Sequence, residues 1–179
     1  VYQHARYLIP AMPVIWTAGF WGLRALARRV GPMMAKFSLV QFAWGALTAG
    51  VLMGFVVLGA RSYAEDVAII ETEMVDTAVW IQANTEEDAL IAVHDIGAVG
   101  YFSERRILDL AGLVTPELIP FLRDEERLRG YLDDQQVDYL VVFPDWYENL
   151  ENGKLIVYRS QGIYAPKAGG ENMVVYRWR

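Results

Sequence analysis

Residues 37–60 read FSLVQFAWGALTAGVLMGFVVLGA, a run of 24 positions without a charge. At the α-helical rise this run is about 36 Å long, ample for a hydrocarbon layer of about 30 Å. Upstream, residues 7–23 (YLIPAMPVIWTAGFWGL) form a second uncharged run of 17. It spans only about 26 Å, and reaches bilayer thickness if Arg24 snorkels and the helix continues through Ala25, Leu26 and Ala27. Pro10 and Pro13 fall near its start, where a missing amide donor is tolerated best. A signal peptide fits less well, because no basic leader precedes the first run and a full-length run follows it. The pattern predicts a membrane α-helical hairpin, with helices at 7–27 and 37–60.

Charge divides the chain at the same place. Residues 1–60 hold Arg6, Arg24, Arg28, Arg29 and Lys36 and no acid, a local charge of +5. Residues 61–179 hold all 22 acids and the other 11 bases, a local charge of −11. Four of the five N-terminal bases lie in the connection 24–36, which the positive-inside rule places in the cytoplasm. Residues 61–179 are then extracytoplasmic, on a multi-pass protein of the plasma (inner) membrane. The sequence has no cysteine, which excludes a disulfide scaffold, a Cys-ligated zinc site and a thiol nucleophile. With only His4 and His94 present, a His-rich metal centre is excluded too. An outer domain of charge −11 is a poor partner for nucleic acid.

Beyond residue 60 the periodicity changes. In 64–83, Val67, Ile70, Met74, Ala78 and Ile81 recur at helical spacing, with Glu71, Glu73 and Asp76 on other faces. Short apolar runs at 89–94, 106–110 and 137–143 read as strands, separated by helical segments near 95–103, 115–120 and 124–133. Two later strands, 155–159 and 173–178, are more polar and aromatic. This alternation predicts a small α/β domain over 61–179, three layers deep, with a mostly parallel sheet and an antiparallel edge.

Chemistry is best sought in the turn after the first strand, His94-Asp95-Ile96-Gly97-Ala98-Val99-Gly100-Tyr101. Ligands of open α/β sheets sit at the carboxyl ends of strands, where a Gly-bearing turn into a helix can offer amides to an anion. The competing expectation is structural: Asp95 caps the helix, and Gly97 and Gly100 let helix and sheet pack closely. Asp109, inside the second strand, needs a partner, and Arg105 or Arg106 is its neighbour in sequence. It serves in a strand-end ion pair or as a turn-capping carboxylate, or pairs with Asp95 for glycosidic or phosphoester work. Trp146, Tyr147, Tyr158, Tyr164, Tyr176 and Trp178 form a late aromatic set that completes the core, rests at the membrane interface or stacks on a sugar. His4 and Arg6 place an imidazole and a cation at the outer interface, where they anchor to lipid headgroups.

The stretch His4-Ala-Arg6-Tyr7-Leu8-Ile9-Pro10 entering a span resembles the H-x-R-Y-x-x-P stretch near the final spans of polytopic GT-C-type glycosyltransferases. These are bacterial relatives of the protein mannosyltransferases and lipid-A aminoarabinose transferases. Residues 95–113 (DIGAVGYFSERRILDLAGL) and 137–144 (VDYLVVFP) look like the small outer domain at the C-terminus of many such proteins. The resemblance implies the C-terminal portion of an enzyme that takes a sugar from a polyprenyl-phosphate donor at the outer membrane face. Its catalytic acid would lie in an outer loop upstream, so no catalytic residue is expected in this chain. His4 and Arg6 would face the donor phosphate, and a guanidinium can hold two phosphate oxygens at once. The residues imply no cofactor, and metal ligands would lie upstream. The alternative is a two-span membrane protein whose outer α/β domain binds a ligand or partner without catalysis.

The charge partition predicts that a protease added outside intact cells digests residues 61–179 and spares the connection 24–36. Immunoblotting against each segment checks this, and an untouched C-terminal domain would refute the assignment.

Overall fold

The computed structural model describes residues 10–34, 38–147 and 149–179. The chain divides into two compact units, Val1–Leu58 and Gly59–Arg179. In the first, helix α1 covers Met12–Met34 and helix α2 begins at Ser38 and runs to Ile69. The basic segment 24–36 is thus helical as far as Met34, where the sequence suggested a connection. One helical stretch among the described residues, Gly45–Asn84, is long and apolar enough to cross a membrane, and none of its apolar window is buried. The arginines within α1 break up its apolar character.

From α2 the helix continues without a break through a π-helical segment, Ile70–Val75, into α3, Asp76–Asn84. A π turn accommodates an extra residue, which rotates the following positions by about a third of a turn from their α-helical faces. This corrects the expected amphipathic pattern. Ile70, expected inside, is 44% exposed, whereas Glu73, expected on a solvated face, is fully buried. Ala78 and Ile81 are buried as the spacing predicts, and Glu71 and Asp76 are exposed.

The second unit continues with β1 (Leu90–Val93), α4 (Ile96–Ser103), β2 (Arg106–Asp109), α5 (Glu125–Asp134), β3 (Tyr139–Val142), β4 (Leu155–Arg159), α6 (Tyr164–Lys167) and β5 (Val174–Arg177). Short 3-10 turns at Pro116–Phe121 and Pro144–Trp146 follow β2 and β3. The strand order is β2-β1-β3-β5-β4. β1 pairs in parallel with β2 and β3, while β5 runs antiparallel to both β3 and β4. The sheet is therefore evenly mixed rather than mostly parallel. β5, expected at the edge, is interior, and β4 alone forms the antiparallel edge.

Alternation along the strands sorts side chains to two faces. Ala92, Leu108, Leu140 and Val174 meet Leu118 of the first 3-10 turn and Leu128 and Leu132 of α5. Ile91, Val93, Val141 and Val175 meet Ile81 of α3 and Val99 of α4. The central strands β1 and β3 are apolar throughout because both of their faces are covered. Local signals set the ends of helices: Asp124 accepts from the amide of Arg127 at the start of α5.

Glu73 ties the helical stem to the sheet. Its Oε2 accepts from the amide of Met173 at 2.9 Å and from the Ser160 hydroxyl, and its Oε1 accepts from Asn172 Nδ2 at 2.9 Å. Asn172 Nδ2 also donates to the Gly162 carbonyl. A Cβ at Gly162 would collide with Glu73 Oε1 and Thr72 Oγ1, so only glycine fits against the π segment. Replacing Glu73 with Ala strands two buried donors, the Ser160 hydroxyl and the Met173 amide, and should cost about 3 kcal/mol of domain stability. Gly162→Ala should destabilise through the same contact. Denaturant unfolding of the full chain in micelles checks both.

Candidate functional site

The parallel strands β1, β2 and β3 end on the same side, and the residues that follow them converge there. Val93 and Asp109 are partners in register at the ends of β1 and β2. His94 follows β1, and Trp146 and Tyr147 follow β3. His94 Nδ1 lies 2.9 Å from the Tyr147 hydroxyl, and the His94 ring meets Trp146 edge-on at 4.8 Å. Trp146 in turn lies 5.1 Å from Phe143, fixing the aromatic end of the turn. Burial, and then the charges of Glu125, Asp95 and Asp109, push the Tyr147 hydroxyl far above its ordinary range. Tyr147 therefore remains a neutral phenol, able to donate to an unprotonated His94 nitrogen.

Asp95 occupies the N-cap position of α4, but its side chain makes no capping bond. Its backbone, at φ −94° and ψ 82°, is close to that of Asp124, which does cap α5, so the backbone angles are not what separates the two. Instead, Asp95 Oδ2 is buried with no hydrogen-bond partner among the described residues. Burial raises its carboxyl above the ordinary value of 3.8, opposed by the neighbouring His94. The expected cap is thus replaced by an unsatisfied acid at the mouth of the strand ends.

Asp109 is fully committed to its loop. Its Oδ1 accepts from the Ala111 amide at 2.8 Å and its Oδ2 from the Val114 amide at 2.7 Å. Gly112, at φ +74°, allows the chain to turn within this loop. Of the alternatives the sequence left open, the turn-capping carboxylate is the one observed. Arg105 is used elsewhere, donating to the carbonyls of Gln82 and Thr85 and so pinning the end of α3 to the start of β2.

Gly97 and Gly100 lie within α4 rather than in a cradle. A Cβ at Gly97 would meet nothing within 4 Å, and one at Gly100 would make an ordinary 3.6 Å contact with Ile107. Close packing does not require either glycine. Tyr101 is 77% exposed and meets the Phe102 ring edge-on. The aromatic set does not gather in one place. Tyr176 is core, Trp178 stacks under Lys154 and donates to Asp133, and Tyr158 stacks on Trp80. His4 and Arg6 lie outside the described residues.

Beside Tyr147 an open crevice of about 790 Å³ is lined by Trp146, Asp124, Glu125, Glu126, Arg123 and Arg129 among others. Several of these groups are engaged: Arg129 donates to the carbonyls of Leu150 and Asn152, and Glu125 accepts from the Asn149 amide. Among the described residues no group of three or more His, Asp or Glu is placed to hold a metal ion. The His94–Tyr147 pair was missed in the sequence because 53 positions separate its members. The available signal was that both follow strand ends, as switch-point sites do.

An acid whose folded value is raised binds its proton more tightly in the native state than in the unfolded chain. Its contribution is present at low pH and is lost as pH rises from 3.8 through the folded value. Asp95→Asn should remove this loss, raising stability at pH 7 by up to about 1 kcal/mol after allowance for partial exposure. The difference between variant and parent should vanish toward pH 3, as read from denaturant midpoints across pH.

Neither the curated proteins nor the solved structures yield a match to this chain. Residues 59–176 match the model of a domain of unknown function, DUF8728, beginning at the residue where the second compact unit begins. The family domain so delimited includes the end of α2 as well as the sheet, and the chain belongs to the DUF8728 family.

Proposed function

We propose that the chain is the C-terminal portion of a GT-C-like membrane glycosyltransferase, which transfers a sugar from a polyprenyl-phosphate donor at the outer face of the plasma membrane. The observation that carries the membrane part is the stretch Gly45–Asn84, whose apolar window is unburied while its C-terminal half supplies core residues to the α/β unit. An apolar helical surface of this length left uncovered suits lipid better than water. In this reading α1 and α2 form a two-span hairpin of a multi-pass protein, with the bases of 24–36 in the cytoplasm. The acidic α/β unit, its sheet the middle of three layers, is extracytoplasmic.

The transferase part is supported by the resemblance of residues 4–10, 95–113 and 137–144. His4 and Arg6 would hold the donor phosphate, while an acidic residue in an outer loop upstream would act on the acceptor. A second reading, a membrane-anchored domain that binds a ligand or partner without catalysis, is favoured by one observation. The unpartnered Asp95 oxygen beside the His94–Tyr147 pair is an unfilled polar site at the strand ends.

The transferase reading requires further spans upstream in the reading frame and an acidic residue in their first outer loop. In the complete protein, Arg6→Ala should lower sugar transfer from a polyprenyl-phosphate donor by about tenfold or more, with membrane insertion unchanged. Unchanged transfer would remove the phosphate assignment. Absence of transfer in the parent would favour the binding domain.

A further inference from the structure

A second concavity lies on the opposite side of the α/β unit from α5, where the π segment, α3 and β4 meet. It is an open groove of about 450 Å³, lined by Thr72, Asp76, Trp80, Tyr158, Gln161 and Gly162 among others. Trp80 and Tyr158 are half-buried and stack at 4.8 Å with their planes 17° apart. Their partnership joins the helical stem to the edge strand and presents a rigid aromatic wall. The floor is rigid as well, because Gly162 packs directly on Thr72 and on the pinned Glu73.

The polar groups of this groove are largely unspent. The side chains of Asp76 and Gln161 are exposed, and neither hydrogen-bonds another described residue; nor do the Trp80 indole N–H and the Tyr158 hydroxyl. Asp76 lies close enough to Tyr158 that its charge, after burial itself, raises the phenol above its ordinary value. A purely apolar ligand would strip water from these groups and return nothing. A phosphate-bearing ligand would meet the Asp76 carboxylate within a domain of charge −11. A ring with one C–H face and a rim of hydroxyls answers both requirements.

We propose that this groove binds an uncharged saccharide, with a pyranose ring against the Trp80–Tyr158 wall and its hydroxyls on Asp76 and Gln161. The aromatic wall supplies apolar contact, and the carboxylate and amide set the orientation. The site shares no lining residue with the His94–Tyr147 cluster, and it binds a sugar whether or not the chain transfers one.

The test is saturation-transfer NMR on the full chain in phosphocholine micelles, which carry no sugar headgroup. The probes are the methyl β-pyranosides of glucose, galactose and mannose, with glucuronate and cyclohexanol as controls. At least one pyranoside should receive saturation on its ring protons, with Kd on the order of 1 mM. Asp76→Ala and Gln161→Ala, both exposed and so harmless to folding, should each weaken it by about fivefold to tenfold. Trp80→Leu should abolish it, and glucuronate should bind more weakly than the glucoside. No transfer to any pyranoside, transfer indifferent to Asp76 and Gln161, or cyclohexanol binding as well as the sugars would overturn the proposal. None of these outcomes depends on sugar transfer from a lipid donor, so this inference and the transferase reading stand or fall separately.

Discussion

A carboxylate with no access to water holds the α/β unit together. Glu73 comes from a helix, yet all of its partners come from the segment between β4 and β5: the Ser160 hydroxyl, the Asn172 amide and the Met173 backbone. A buried acid on a helix is costly unless every lone pair finds a donor. Here the donors are supplied by chain 87 to 100 positions away, so the helical stem is tied to the C-terminal strands by a long-range contact. The π segment is the geometric means, because an ordinary α-helix would have pointed residue 73 elsewhere. Gly162 follows as a consequence, since any side chain there would displace the carboxylate.

The same contact stands at the entry to β5. β5 enters between β3 and β4, antiparallel to both, and its first buried residues adjoin Met173, whose amide Glu73 holds. The parallel strands β2, β1 and β3 are left with their carboxyl ends free of covering strands. Those ends carry His94, Asp95, Asp109, Trp146 and Tyr147. Of the two acids, one has both oxygens spent on loop amides, and the other keeps a buried oxygen without a partner. Identical residue types at comparable sheet positions thus have opposite chemical potential, decided by which amides the following loop turns inward.

The unit also carries two quite different concavities. Beside Tyr147 the lining is charged and much of it is committed to backbone groups, as with Arg129 and Glu125. Against Trp80 and Tyr158 the lining is aromatic, and although the Thr72 hydroxyl donates to the Ala68 carbonyl, the Asp76 and Gln161 side chains bond no other described residue. Free donors and acceptors beside a fixed aromatic wall favour recognition of a hydroxylated ring, whereas committed ones mainly hold the fold.

Much of the architecture was legible in the residues. The uncharged run 37–60 falls largely within α2, the division of charge near residue 60 falls beside the boundary between the two units, and the apolar runs of β1 and β3 are strands; all are local patterns. Helix starts such as Asp124 were legible for the same reason. What the residues could not reveal were the outcomes of distant encounters. The inward turn of Glu73, the interior place of β5, the meeting of His94 with Tyr147 and of Trp80 with Tyr158 join positions 53 to 100 apart, or depend on such a contact. Local propensity determines which segments are oily, helical or extended. Only the folded chain decides which buried polar group receives its hydrogen bonds, because that depends on what the rest of the molecule brings within 3 Å of it.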